Sequence, residues 1–184
     1  MQATTQQLVD GISDWMRCES PSSDPAALER MVEMMRAQAA AAGLRATVIA
    51  TSANGGPNLP LLHITNRAEG DTRQGLLVLG HSDTVHPIGM LADNPIRIEG
   101  DRLYGPGGYD MKAGIYLALT ALSAAHTPGS TPLPVDLVVV PDEEVGSHAS
   151  RKHIEAFASN AKYCLVAEPA RANGGRCVTA RKGT

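Results

Sequence analysis

The chain has few rings. One Trp, four Tyr and one Phe are all the aromatics in 184 residues. A core of stacked aromatics is excluded, so Leu, Val, Ile, Met and Ala must fill the interior. Cysteine is scarce too: Cys18, Cys164 and Cys177 are the only three. Their number is odd and no CxxC pair occurs, which argues against a disulfide framework and a zinc finger. Reduced thiols and a cytoplasmic location are the simplest expectation. The opening stretch, MQATTQQLVDGISDWM, lacks the basic and apolar regions of a signal peptide. No apolar run is long enough to span a bilayer, so no membrane partner is expected. Basic excess is also missing. Sixteen Lys and Arg stand against 19 Asp and Glu, a net charge of −3. That leaves no electrostatic footprint for nucleic acid. Hydrophobic residues make up 43% and charged residues 19%, the balance of a folded globular chain.

What is present has clear periodicity. Leu8, Ile12, Trp15 and Met16 recur at helical spacing and predict a first helix. Pro21 and the Ser/Asp/Pro cluster after it end that element. Asp24-Pro25 pairs an N-cap with a proline at the first helical position. Leu28, Met31, Val32, Met35 and Ala39 mark one face of the second helix, and Gly43 is placed to cap its end. Strands are expected over 44–50 and 60–65, separated by the turn signal GGPN. Stronger strands are expected over 76–79, 135–140 and 163–167. Each is a near-continuous apolar run, the pattern of a strand covered on both faces. Helices are expected over 111–126, with Ile115, Leu119 and Leu122 on one face, and over 150–158. The alternation predicts an α/β fold: a three-layer arrangement of one sheet with helices on both faces.

Chemistry collects where the strong strands end. The first runs into GHSDTVHP, residues 80–87, with His81 and Asp83. The second runs into Asp142-Glu143-Glu144, and the third into Glu168. In α/β folds, ligands gather outside the carboxyl ends of the strands. A fourth contribution is YGPGGYDMKAG, residues 104–114. Its glycines permit tight turns, and Asp110 stands near the start of the next helix.

Each of these residues has a structural reading when taken singly. His81 can end a strand on an ordinary hydrogen bond. Asp110 can be an N-cap. Glu143-Glu144 can be a solvated acidic turn, and Glu168 a cap before Pro169. The glycine-rich loop is also of the kind that cradles phosphate. It lacks the Ser or Thr after Lys112 that the P-loop pattern requires. Taken together, the residues suit a hydrolytic metal centre. A metal-ligating His donates its second ring N–H to a neighbour such as a carboxylate, and Asp83 lies two residues on. Of two adjacent glutamates, one can bind metal while the other accepts a proton. His86, before Pro87, reads as a rim residue.

Four segments carry a family resemblance: HSDTV (81–85), GPGGYDMKAG (105–114), PDEEVGS (141–147) and AEPA (167–170). In order and spacing the chain resembles the M20 family of metallopeptidases and amidohydrolases over most of its length. The GPG form of the second segment and the EEVGS-x-x-SR run resemble most its glutamate carboxypeptidase branch. The resemblance implies a zinc-peptidase-like catalytic domain. It implies hydrolysis of a peptide or N-acyl amide bond, of carboxypeptidase, dipeptidase or deacylase type. It also implies two zinc ions, with cobalt or manganese as substitutes. Carried over by motif, His81 and Glu168 would bind one ion, Asp110 would bridge both, and Glu144 would bind the second. Glu143 would be the general base and Asp83 would orient His81. A cis peptide between Asp110 and Met111 is implied as well. Substrates would be small peptides or N-acyl amino acids.

Members of the family have longer chains. A lid domain, which carries dimer contacts, is inserted between the halves of the catalytic domain. The returning half supplies a last histidine ligand. By this resemblance, residues 1–176 read as the amino-terminal half of the catalytic domain and 177–184 as the start of the connection to the lid. The catalytic domain is then incomplete, and the second ion lacks its histidine. The complete protein is expected to be a homodimer. For the chain as it stands, the alternative is an inactive metal-binding fragment.

Overall fold

A computed structural model describes residues 3–53, 55–127, 129–170 and 175. Cys177 and the 177–184 segment lie outside the described residues. The elements run α1 (Thr5–Arg17), α2 (Pro25–Ala41), β1 (Arg45–Thr51), β2 (Leu59–Thr65), β3 (Gly75–His81), α3 (Met90–Asp93), β4 (Arg97–Glu99), β5 (Arg102–Tyr104), α4 (Ala113–Ala124), β6 (Val135–Val140), α5 (Arg151–Ser159) and β7 (Ala161–Val166).

Local chemistry accounts for the helix ends. Thr4 opens α1 with a capping box: its hydroxyl accepts the Gln7 amide, and the Gln7 side chain accepts the Thr4 amide. Asp24 accepts the Ala27 amide at 3.0 Å and Pro25 begins α2. Gly43 follows the end of α2 at φ 74°, a conformation that a residue with a Cβ avoids.

The main sheet has the order β1-β2-β6-β3-β7. β3 pairs in parallel with both β6 and β7, while β2 runs antiparallel to β1 and β6. The carboxyl ends of β6, β3 and β7 therefore meet at one edge. On one face, Leu62, Ile64, Leu137 and Val139 pack with Met31 and Met35 of α2 and with Ile115 and Leu119 of α4. On the other, Leu61, Leu77, Val138 and Val140 pack with Ile154 and Phe157 of α5. The expected three layers are present. Full burial of a Leu or Ile contributes about 1.5–3 kcal/mol, so the scarcity of aromatics is offset by numbers.

Three features depart from the sequence expectations. The β4–β5 hairpin was not foreseen. Its first strand is wholly exposed and only three residues long; Gly100 makes its turn. The 111–126 helix begins later, at Ala113, after an irregular turn over Gly108–Lys112. Asp110 sits inside that turn, three residues before α4 begins, and Lys112 holds the cap position, so Asp110 is not an N-cap. Finally, β7 is not covered on both faces. Tyr163, Leu165 and Val166 are each more than half exposed. β7 is an edge strand, with β3 its one partner among the described residues. Apolar content predicts a strand but says nothing of its cover. No described helix is long and apolar enough to cross a membrane.

Candidate metal centre

His81 is the last residue of β3, on the strand between β6 and β7. Its ring is buried. Nδ1 lies 2.9 Å from the Asp83 main-chain carbonyl and 3.4 Å from Asp83 Oδ1. A carbonyl only accepts, so Nδ1 carries a proton and Nε2 is turned to the sheet edge. There Nε2 meets Asp110 Oδ1 at 3.0 Å, Glu168 Oε1 at 3.5 Å and Glu143 Oε2 at 3.9 Å. Burial disfavours a charged ring, but the carboxylates of Asp83 and Glu168 outweigh it and push the imidazole pKa up to about 11. The acids hold a positive charge among themselves.

Asp83 fastens the site from beneath and is fully buried. Oδ1 accepts the Glu143 amide and Oδ2 the Glu144 amide, both at 3.1 Å. Oδ2 also accepts the Ser22 hydroxyl at 2.7 Å. Burial would raise its pKa, but His81, Ser22 and the Glu144 amide together hold it below the usual carboxylate value. The Glu143–Val145 turn thus hangs from a charged group two residues beyond β3. Asp142 secures the far side of that turn, where Oδ2 accepts the Ala149 amide at 2.6 Å.

Asp110 comes in from the other side, on the irregular turn. Its peptide bond to Met111 is cis, as the resemblance implies. Close approach explains two glycines. A Cβ on Gly107, at φ 65°, would meet Thr84 Cγ2 at 2.8 Å. One on Gly114 would run into the Ala167 carbonyl oxygen. Gly114 thereby lets α4 sit against the segment that presents Glu168. Burial and then neighbouring acids raise both outer glutamates: Glu168 is the main acid acting on Glu143, and Asp110 on Glu144. His81 only partly offsets this.

These side chains form two groups able to hold a cation: His81, Glu143 and Glu168, and His81, Asp110 and Glu144. Within each, the donor atoms lie within 4.8 Å of one another. One imidazole nitrogen with carboxylate oxygens is a donor set that suits zinc. The charge also fits: the carboxylates crowded around Nε2 repel one another and favour a cation there, and a metal ion would take the place of the Nε2 proton. No other histidine joins either group among the described residues. Both groups draw on the same ring nitrogen, and one nitrogen ligates one ion.

The structure brings together every residue the sequence nominated, Asp83 included. It also excludes one reading. Lys112 does not face a phosphate: it is buried, and Nζ donates to the main-chain carbonyls of Trp15 at 3.3 Å and Cys18 at 2.6 Å. Ser22 went unnoticed in the sequence. It lies 61 positions before Asp83 and belongs to no local motif. Cys18 and Cys164 are free thiols.

The model of peptidase family M20/M25/M40 matches residues 77–180, which hold His81, Asp83, Asp110, Glu143, Glu144 and Glu168. The chain belongs to this family. Among curated M20 relatives it is 37% identical to carboxypeptidase G2 of Pseudomonas sp. (strain RS-16), over 60% of this chain and 27% of that protein. It is 34% identical to acetylornithine deacetylase of Myxococcus xanthus, over 59% of this chain and 30% of that protein. The chain thus spans less than a third of these M20 relatives. In fold it is similar to human carnosine dipeptidase 1, with a TM-score of 0.69 and 22% identity. That match covers 90% of this chain and 39% of the dipeptidase.

Proposed function

We propose that the complete protein is a zinc-dependent hydrolase of a peptide or N-acyl amide bond. The carrying observation is the convergence of one directed imidazole nitrogen and four carboxylates at the carboxyl edge of three parallel strands. In this reading His81, Asp110, Glu144 and Glu168 hold the metal. Bound zinc supplies polarisation of the scissile carbonyl and acidification of water. Asp83 fixes His81 in the tautomer that leaves Nε2 free to ligate. Glu143 is the proton acceptor. It reaches the same edge, is half exposed to an incoming substrate, and has a raised pKa suited to taking up and releasing a proton. The proton then passes from its carboxyl oxygen to the leaving amine. Because His81 has a single nitrogen to give, one ion is held by nitrogen and oxygen, and a second rests on carboxylates alone.

The relatives' names, a carboxypeptidase and a deacetylase, share cleavage of an amide next to an amino acid. Small peptides and N-acyl amino acids are accordingly the proposed substrates. Residues 1–176 form the amino-terminal half of the catalytic domain in this reading, with a homodimer as the proposed state of the complete protein. The test is amide hydrolysis by the zinc-loaded protein on dipeptides and N-acyl amino acids. Chelator-sensitive turnover that is lost in Glu143→Gln supports the proposal. Tight zinc binding without turnover supports a second reading, a metal-binding portion without activity of its own. The chain's short span against its relatives favours that second reading for this chain alone.

A further inference from the structure

We propose that residues 18–22, which link α1 to α2, form a positioning strap for the metal centre, acting through Ser22 and Lys112. The inference rests on the metal reading above. The strap grips the loop that follows His81 and the irregular turn that carries Asp110. At one end, the Ser22 hydroxyl donates to Asp83 Oδ2 at 2.7 Å. At the other, the Cys18 carbonyl accepts Lys112 Nζ at 2.6 Å. Between them, the Ser20 hydroxyl donates to the Ser82 carbonyl at 2.7 Å, and the Ser20 carbonyl accepts the Thr84 amide at 2.9 Å. Pro21 pairs with Thr84 as an isolated parallel bridge. Glu19 accepts the amides of Gly89 and Leu91 at 2.7 and 2.9 Å, anchoring the loop that follows.

Neither Ser22 nor Lys112 belongs to either donor group. Each acts through another residue. Asp83 Oδ2 is shared between the Ser22 hydroxyl and the Glu144 amide. Without the hydroxyl, a buried charged oxygen is left short of a donor. The carboxylate then turns away, and the Glu143-Glu144 turn and His81 follow it. Lys112 works on the opposite loop. It lies two residues beyond Asp110, and its amide donates to the Gly107 carbonyl at 3.0 Å. Its ammonium meets the carbonyls of Trp15, in the last turn of α1, and of Cys18 just past it, the favourable end of a helix for a cation. That contact pins the irregular turn and so the place of Asp110.

The test uses the full chain with zinc and cobalt(II) as probes. Zinc affinity is read by titration calorimetry, ligand geometry by the visible spectrum of the cobalt form, and the fold by far-UV circular dichroism. Ser22→Ala should weaken zinc binding about 10–100-fold, as loss of a residue behind the ligands does, and should shift the cobalt bands while the fold persists. Ser22→Thr, which keeps the hydroxyl, should restore both. Lys112→Met should weaken zinc and shift the bands in the same way. Wild-type affinity and superimposable cobalt spectra in Ser22→Ala overturn the strap. Should that variant unfold, unchanged affinity and spectrum in Lys112→Met overturn it instead. A wild-type chain that binds neither metal overturns the metal reading itself, a result distinct from normal binding in the variants.

Discussion

The Asp83 carboxylate accepts the main-chain amides of Glu143 and Glu144, one on each oxygen, at 3.1 Å. Residues 60 positions apart are thereby held in one turn, under an imidazole that the same residue fixes by its carbonyl. Asp83→Asn puts an amide donor where an acceptor is needed. Bonds to a charged acceptor contribute about 1.5–3 kcal/mol each. The expected result is a loss of about 2–3 kcal/mol in urea unfolding, together with weakened zinc binding.

Stoichiometry follows from the single nitrogen of His81 that both donor groups share. Equilibrium dialysis followed by metal analysis should find one tightly held zinc per chain. His81→Ala should abolish that site. Two ions of comparable tightness would refute the shared-nitrogen argument.

Glu143→Gln should separate chemistry from binding. The amide keeps the shape but cannot accept the proton. In a hydrolytically active preparation of the zinc-loaded protein, turnover should fall by about 10²–10⁴-fold. Zinc affinity, measured on the same variant, should stay within a few-fold of wild type.

A pH effect is expected far from the centre. Asp136 sits buried on β6, with His63 at 2.9 Å and Arg67 at 2.7 Å. Burial raises its pKa, but His63 and Arg67 outweigh it and bring it down to about 2. A group depressed in the folded state stabilises above its unfolded pKa, about 3.9. That stability is lost as pH falls through about 2. The contribution near neutral pH is about 2.5 kcal/mol. Acid unfolding between pH 4 and pH 2, followed by circular dichroism, should flatten in Asp136→Asn.

Much of the site was legible because its residues lie in short local motifs at strand ends. His81, Glu143 and Glu168 each follow an apolar run that predicts its own strand. The chain cannot announce partners that meet only in space. Ser22 is one serine among many until the strap lays it on Asp83. The place of β6 between β2 and β3 is likewise set by packing, with no local mark in 135–140. Apolar content placed β7 correctly but misjudged its exposure, because an edge position depends on what lies beside the strand. The β4–β5 hairpin carries little signal because each of its strands is only three residues long, too short to set up a period.

The sheet order has a consequence for size. His81 ends β3, with Glu143 beyond β6 on one side and Glu168 beyond β7 on the other. Neighbouring strands stand about 4.8 Å apart, a spacing set by main-chain hydrogen bonds and not by side chains. The sheet therefore sets how far apart the loops bearing Glu143 and Glu168 are rooted. Those roots cannot part without breaking rungs of β3 with β6 or β7. The donors themselves stand on short turns two or three residues past the strands, so it is these turns that any bound ion would have to order.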